Sequence, residues 1–283
     1  MADGSPTIRQ RELGMRLRKL RMDLDLTVED VAEQLMCSTA KISRLETAAR
    51  PPILRDVRDL CGLYKVDEAM TAALMELARE ARKPGWWKEY ADLDLDPYIG
   101  LEQQAASITA YSMYHVHGLV QTGDYARAMI RGVLPKIEPE IHRQRVEARL
   151  HRQELLDGKN PPRFRMLLDE AVLHRPVGSS AVMAAQVTRI HELANSGKVT
   201  VHIVPFDLGV YSVADINFTF LEFEESWLSP IIYVEGLTAS QYYERPADVA
   251  RYRESIEYIR DHALSPRDSV IRLMEARKIF AVD

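Results

Sequence analysis

Apolar residues recur three and four positions apart through the first eighty residues, a spacing that stacks them on one face of a helix. Leu13, Leu17 and Leu20 predict one amphipathic helix, Val31, Ala32 and Leu35 a second, and Ile42 and Leu45 a third. Ile53, Val57, Leu60 and Leu63 predict a fourth, and Met70, Leu74 and Leu77 a fifth. Thr27 followed by Asp30 is a capping-box variant, which starts the second helix just after Leu26 and carries it to about Leu35. Ser38 is expected to cap the third. Ala32 is small enough for a crossing helix to approach closely. The outcome is a compact five-helix module in which a tight turn joins the second and third helices.

The pattern breaks at Lys83-Pro84-Gly85-Trp86-Trp87, where proline and glycine cannot continue a helix, and this places a domain boundary between 1–83 and 84–283. The two tryptophans are read as sealing a seam between domains. Helical spacing then resumes over Tyr98 to Thr109, Asp124 to Gly132 and Glu138 to Leu156. Short strand-like runs follow at Phe164 to Leu168, Val199 to Val204, Ile216 to Phe223 and Ile231 to Val234. Between the first two lies a helix, Ser179 to Ala194, so strand, helix and strand form a crossover unit. Two helices, Ala247 to Leu264 and Pro266 to Phe280, close the chain. The fold class is therefore α+β: an all-α five-helix domain, then a mixed sheet flanked by helices.

With 283 residues, 46% hydrophobic and 28% charged, the chain has the balance of a globular protein large enough for two domains. No run approaches the roughly 18 apolar residues of a membrane helix, and Met1 to Thr7 lacks the apolar core of a signal peptide, so a cytoplasmic location away from membranes is expected. Two cysteines, Cys37 in the motif turn and Cys61 on an apolar helix face, make no disulfide framework.

A net charge of −5 argues against indiscriminate coating of nucleic acid, but its distribution is uneven. Between Arg9 and Arg21, six basic residues (Arg9, Arg11, Arg16, Arg18, Lys19, Arg21) stand against Glu12 alone, and Lys41, Arg44 and Arg50 lie in or just after the third helix. Salt screens distant acids beyond about 10 Å, so this local charge is what a phosphate responds to. With Ile42 and Leu45 turned inward, Thr39, Ala40, Ser43 and Arg44 are left on the outer face. Short side chains around one arginine suit close approach to base edges in a major groove. The bland alternative is an ordinary helical hairpin in a small bundle.

Little in the remainder supports catalysis. His115 and His117 have metal-ligand spacing but no identifiable third ligand, so no metal site is expected. Asp169 and Glu170 follow a strand and are read as favouring a helix start rather than as an acid–base pair. There is no phosphate-cradling glycine loop, nucleophile elbow or zinc-type cysteine cluster, and neither enzymatic activity nor a cofactor is expected. Arg143, Arg145, Arg149 and Arg152 read mostly as a solvated helix face. Arg149 and Arg152, three apart, are the candidate pair for an anionic ligand or an acidic partner segment.

The segment from 9 to 70 resembles the Xre/Cro family of helix–turn–helix regulators through Thr27, Glu29, Ala32, Ser38, Ile42, Ser43, Arg44, Leu45 and Glu46. By that resemblance Thr39, Ala40, Ser43 and Arg44 read bases, while Lys41 and the first amides of the recognition helix hold phosphate. Arg21 and Glu46 stand where the family often has an internal salt bridge. Three positions depart from the pattern: Val28 replaces a phosphate-binding Gln, Met36 the usual turn Gly, and Ala48 a frequent Gly after the recognition helix. Met36 must take a positive φ or the turn must change shape.

The remainder resembles the domain that commonly follows such a reader in actinomycete regulators of the WhiJ kind. The matching pieces are Gly118 to Ile130, Val146 to Leu156, Leu167 to Gly178, Val199 to Gly209 and Ile231 to Gly236. His117 stands where that family usually has Pro. The resemblance implies an antitoxin-like regulatory domain, often encoded beside a small partner protein. The expected protein is a homodimeric, sequence-specific transcription regulator bound to double-stranded DNA at an inverted-repeat operator. Its second domain would respond to a small protein partner or to a small-molecule effector. A partner requires an exposed apolar patch, and an effector a mostly apolar pocket between sheet and helices. An antitoxin-like protein whose main task is sequestering its partner is the competing reading.

Overall fold

The computed structural model describes residues 8–83, 86, 87, 90, 96–224, 228–236 and 239–280. The chain divides into two compact units, Met1–Gln104 and Ala105–Asp283. That division lies beyond the Pro-Gly break, because a further short helix belongs to the first unit.

In the first unit, α1 (Ile8–Met22), α2 (Val28–Gln34), α3 (Thr39–Glu46), α4 (Leu54–Leu63) and α5 (Glu68–Glu80) surround one core, and α6 (Asp96–Glu102) follows. Leu13, Leu17, Val31, Ala32, Ile42, Leu45, Val57, Leu60, Leu74 and Leu77 meet in that core as the spacing predicts, but Ile53 and Met70, predicted on the same faces, stay exposed at 41% and 42% because they sit at the starts of their helices. Leu20, Leu35 and Leu63 are partly buried against it. Cys61 is buried there, which raises its thiol pKa, and Cys37 is half-buried. The helix starts follow their caps. The Thr27 hydroxyl accepts the Asp30 N–H at 3.1 Å while the Asp30 carboxylate accepts the Thr27 N–H at 2.7 Å, and Asp67 accepts the Met70 N–H at 2.7 Å.

The helix ends share one device. After α1, α2, α3 and α4 the chain turns through a left-handed residue, Asp25, Met36, Ala48 and Lys65, with φ of 54°, 48°, 55° and 53°. In each case the next N–H reaches back five residues to a helix carbonyl: Leu26 to Arg21, Cys37 to Ala32, Ala49 to Arg44 and Val66 to Cys61, at 2.8–3.2 Å. Met36 and Ala48 thus adopt the positive φ their positions demand, without the usual glycine.

The second unit is built on a six-stranded sheet in the order β3-β2-β1-β4-β5-β6. These strands are β1 (Ser107–Ser112), β2 (Arg163–Asp169), β3 (Val199–Val204), β4 (Phe218–Glu222), β5 (Ile231–Glu235) and β6 (Ser240–Tyr243). β1, β2 and β3 run parallel, and β4, β5 and β6 continue antiparallel. Helices α7 (Gly123–Val133) and α8 (Pro139–Arg152) lead from β1 to β2, and α9 (Ala171–His174) and α10 (Ser180–Asn195) from β2 to β3. α11 (Pro246–His262) lays Val249, Ile256 and Ile259 against Tyr111, Leu167, Phe218, Phe220 and Ile232 on one face of the sheet. α12 (Pro266–Ile279) ends the described chain.

The mixed sheet and its crossover match the expected class, with two differences. Helical spacing over Tyr98 to Thr109 is not one helix: it stops at Glu102, and Ser107–Ser112 is the central strand. All six of its residues are buried, so the two-residue alternation that betrays a half-exposed strand is missing. β6 also lacks an apolar run, since it is an edge strand with Ser240 and Gln241 exposed.

Candidate nucleic-acid interface

α3 presents two contrasting faces. Ile42, Leu45 and Glu46 are buried, at 2%, 6% and 9% exposure, whereas Thr39, Ala40, Ser43 and Arg44 are exposed. The inner face is fixed by a buried ion pair. Arg21 on α1 meets Glu46 through Nε–Oε1 at 2.7 Å and a second nitrogen on Oε2 at 2.8 Å, and it also donates to the Leu26 carbonyl at 2.6 Å. Glu46 holds the guanidinium above its ordinary pKa, so Arg21 stays charged. Two parallel bonds to a planar fork leave α3 little freedom to rotate. Two turns earlier, Gly14 lets α1 approach the end of α3: a Cβ there would lie 2.5 Å from the Glu46 carbonyl oxygen and 2.7 Å from that of Leu45. Neither this approach nor its need for glycine is legible from periodicity, which marks only apolar positions.

The predicted contact residues fare differently. Arg44 is exposed and has no ion partner among the described residues, and the same holds for Arg18 on α1. Arg50 is half-buried just beyond α3. Lys41 is already engaged: its Nζ lies 2.7 Å from Asp56 Oδ1 on α4. A phosphate contact from Lys41 must therefore compete with Asp56, a partner fifteen residues away that the sequence does not reveal. Ser38 occupies the N-cap position of α3, with φ −80° and ψ 146°, yet its side chain makes no capping bond. The expected Ser38 cap is thus corrected. The first amides of α3 are uncapped by any side chain, an arrangement that suits an external acceptor. Val28 is partly buried against the core, so the lost Gln is replaced by packing.

In the second unit, the pieces around Gly118 and Val146 assemble against each other. The stretch 116–122 after β1 is held by its own Gln121, which donates to the Val116 carbonyl at 2.6 Å, and by distant side chains: Gln153 donates to the carbonyls of Gly118 and Gln121 at 3.0 and 2.7 Å. Gln186 donates to Val120 at 2.8 Å and accepts from the Thr122 N–H at 2.7 Å. Arg149 donates to the Gln121 side chain at 3.0 Å, and Arg152 is 7% exposed, close to Gly118. The reading of a solvated face fits Arg143, which pairs with Glu140 and Glu147, but not Arg152. Arg149 and Arg152 are packed inward against the loop rather than set out together on the surface.

A family model described as "Domain of unknown function (DUF5753)" matches residues 95–275, well over half of the chain. The chain belongs to that family. A second model, described as a helix-turn-helix domain, matches residues 12–74 and spans α1 to most of α5. The matched residues include α3 and its exposed face. No curated protein and no solved structure matches the chain.

Other chemistry-bearing residues of the family domain sit at the ends of the parallel strands. The Asp169 carboxylate accepts the Ala171 N–H at 2.8 Å at the start of α9, and also the Tyr211 hydroxyl at 3.2 Å. The hydroxyls of Tyr211 and Tyr111 are 2.5 Å apart. Burial raises the pKa of both phenols, that of Tyr211 to about 12. Glu170 is buried, bonds to Arg272 and accepts the Phe206 N–H at 3.1 Å. Both carboxylates are thus committed to structure. Burial depresses the pKa of His115, and the His117 ring lies 5.3 Å from Phe164. Among the described residues no group of three or more His, Cys, Asp or Glu could hold a metal, and no helix is long and apolar enough to cross a membrane.

A cavity of about 780 Å³ opens at the opposite end of this sheet, and its lining is largely charged and polar rather than apolar. Exposed apolar side chains also occur, with Phe206 at 60% and Val210 at 95% exposure on the segment after β3.

Proposed function

We propose that the chain is a sequence-specific DNA-binding transcription regulator, not an enzyme, that acts as a homodimer on an inverted repeat. Its two copies of α3 would enter successive major grooves. One observation carries this reading: a helix fixed from behind by the Arg21–Glu46 pair exposes Thr39, Ala40, Ser43 and Arg44 within a matched helix-turn-helix domain. Arg44 pairs with guanine in a two-bond contact, and Thr39 and Ala40 touch a thymine methyl or a nearby phosphate. Arg18, Arg50 and the first amides of α3 hold the backbone, and Lys41 joins them only where a phosphate outcompetes Asp56.

The family domain modulates that binding through a small protein partner or an anionic ligand. Antitoxin-like sequestration of the partner is the second reading; the segment after β3 exposes Phe206 and Val210. Genome-wide occupancy followed by binding titrations on the recovered operator tests the first. Arg44→Ala should cost about 1–3 kcal/mol on the operator and much less on random DNA. Equal losses on both would refute base reading by Arg44.

A further inference from the structure

We propose that the cavity at the open end of the sheet binds a small, multiply charged anion of the phosphate-ester class, with Arg163 and Arg165 as its principal holders. The cavity of about 780 Å³ lies where β1, β2 and β3 begin, and falls within the size range of ligand sites. Arg163 and Arg165 are two apart on β2, so they emerge on the same face of the sheet and both line the cavity.

The charge balance there is unequal. Each acid in the lining already has a cation: Asp157 pairs with Lys198, and Glu222 with Arg253 at 2.9 Å. Among the described residues neither Arg163 nor Arg165 has an ion partner. The Nε of Arg165 is buried and makes no hydrogen bond. A guanidinium taken partly out of water without an anion is costly, and a planar fork of donors fits the paired oxygens of a phosphate. Leu156, Pro161 and Pro162 line the cavity as well and offer apolar contact to the organic part of an ester.

A competing account makes these arginines compensate the negative end of α10, which finishes beside the cavity. That end is closed by backbone instead. Gly197, with φ +74°, lets the Lys198 N–H reach the Leu193 carbonyl at 3.1 Å, and its own N–H reaches Ala194 at 3.1 Å. The Leu193 and Ala194 carbonyls thus already have backbone donors.

The test is calorimetric titration of the full chain with inorganic pyrophosphate at constant ionic strength, paired with thermal unfolding. The expected result is one saturable site per chain, weakened about tenfold or more by Arg165→Gln and unchanged by Arg143→Gln on α8. Pyrophosphate should raise the unfolding temperature of the parent chain but not of Arg165→Gln. Without pyrophosphate that variant should melt at or above the parent, because an uncompensated charge has been removed. A lower melting temperature would make Arg165 a structural residue and overturn the proposal, as would the absence of saturable binding. The site stands independently of DNA reading. Arg44→Ala should bind pyrophosphate like the parent, and a loss there with retention in Arg165→Gln would assign the anion to the DNA-facing surface and overturn it.

Discussion

The two units end their helices differently. Four helices of the first close through the left-handed residues Asp25, Met36, Ala48 and Lys65, whereas α10 of the second closes the same way through Gly197. Left-handed backbone costs a residue with a Cβ roughly 1–2 kcal/mol and costs glycine almost nothing. The hydrogen-bond pattern is the same in both units, so the difference lies in what offsets the strain. The small unit relies on tertiary anchors: Ala48 is itself buried, and the Arg21–Glu46 pair ties the end of α1 to the end of α3. At Ala48 packing thus overrides local preference, whereas Asp25, Met36 and Lys65 take the same backbone conformation while exposed.

Breaking the anchor should have the largest effect. Arg21→Ala leaves Glu46 buried without its cation and should cost about 3–5 kcal/mol in denaturant unfolding. Arg21→Met with Glu46→Leu together should cost far less than either single change. Additive losses would show that the pair does not hold the helices jointly. Next, Gly14→Ala drives a methyl into backbone carbonyls of α3 and should lose about 1–3 kcal/mol, weakening operator binding along with stability. A variant as stable as the parent would show that α1 and α3 can separate freely.

The direct comparison of turns is smaller and cleaner. Gly197→Ala places a methyl where no atom lies within 4 Å, so any cost is backbone strain alone, about 1–2 kcal/mol. Met36 is 94% exposed, so Met36→Gly sacrifices no packing and should raise stability by about 0.5–1 kcal/mol in the same assay. If both substitutions moved the midpoint in the same direction, the strain argument would fail.

Most of the first unit was legible because its determinants are local. The Thr27–Asp30 cap and the inward Ile42 and Leu45 follow from residues a few positions apart, while the family resemblance left positive φ at Met36 as one of two outcomes, the one the turn adopts. Asp56 beside Lys41 and the carbonyls facing Gly14 were not, because pairing across helices leaves no periodic trace. In the second unit the alternating and crossover segments were readable, while β1 was hidden by burial on both faces and β6 by exposure at the edge. Arg152 misled for a related reason: its spacing fits a solvated stripe, yet α8 turns it towards the loop at Gly118.

The sheet order carries a consequence for synthesis. β1, at the middle, pairs with β2 on one side and on the other with β4, where Ile108 faces Leu221. On the ribosome the helical unit can assemble from neighbouring contacts as soon as its own residues emerge, but the central strand must wait for most of the remaining chain. A nascent molecule thus has a finished helix-turn-helix domain while the central strand of its second unit still lacks a partner on one side.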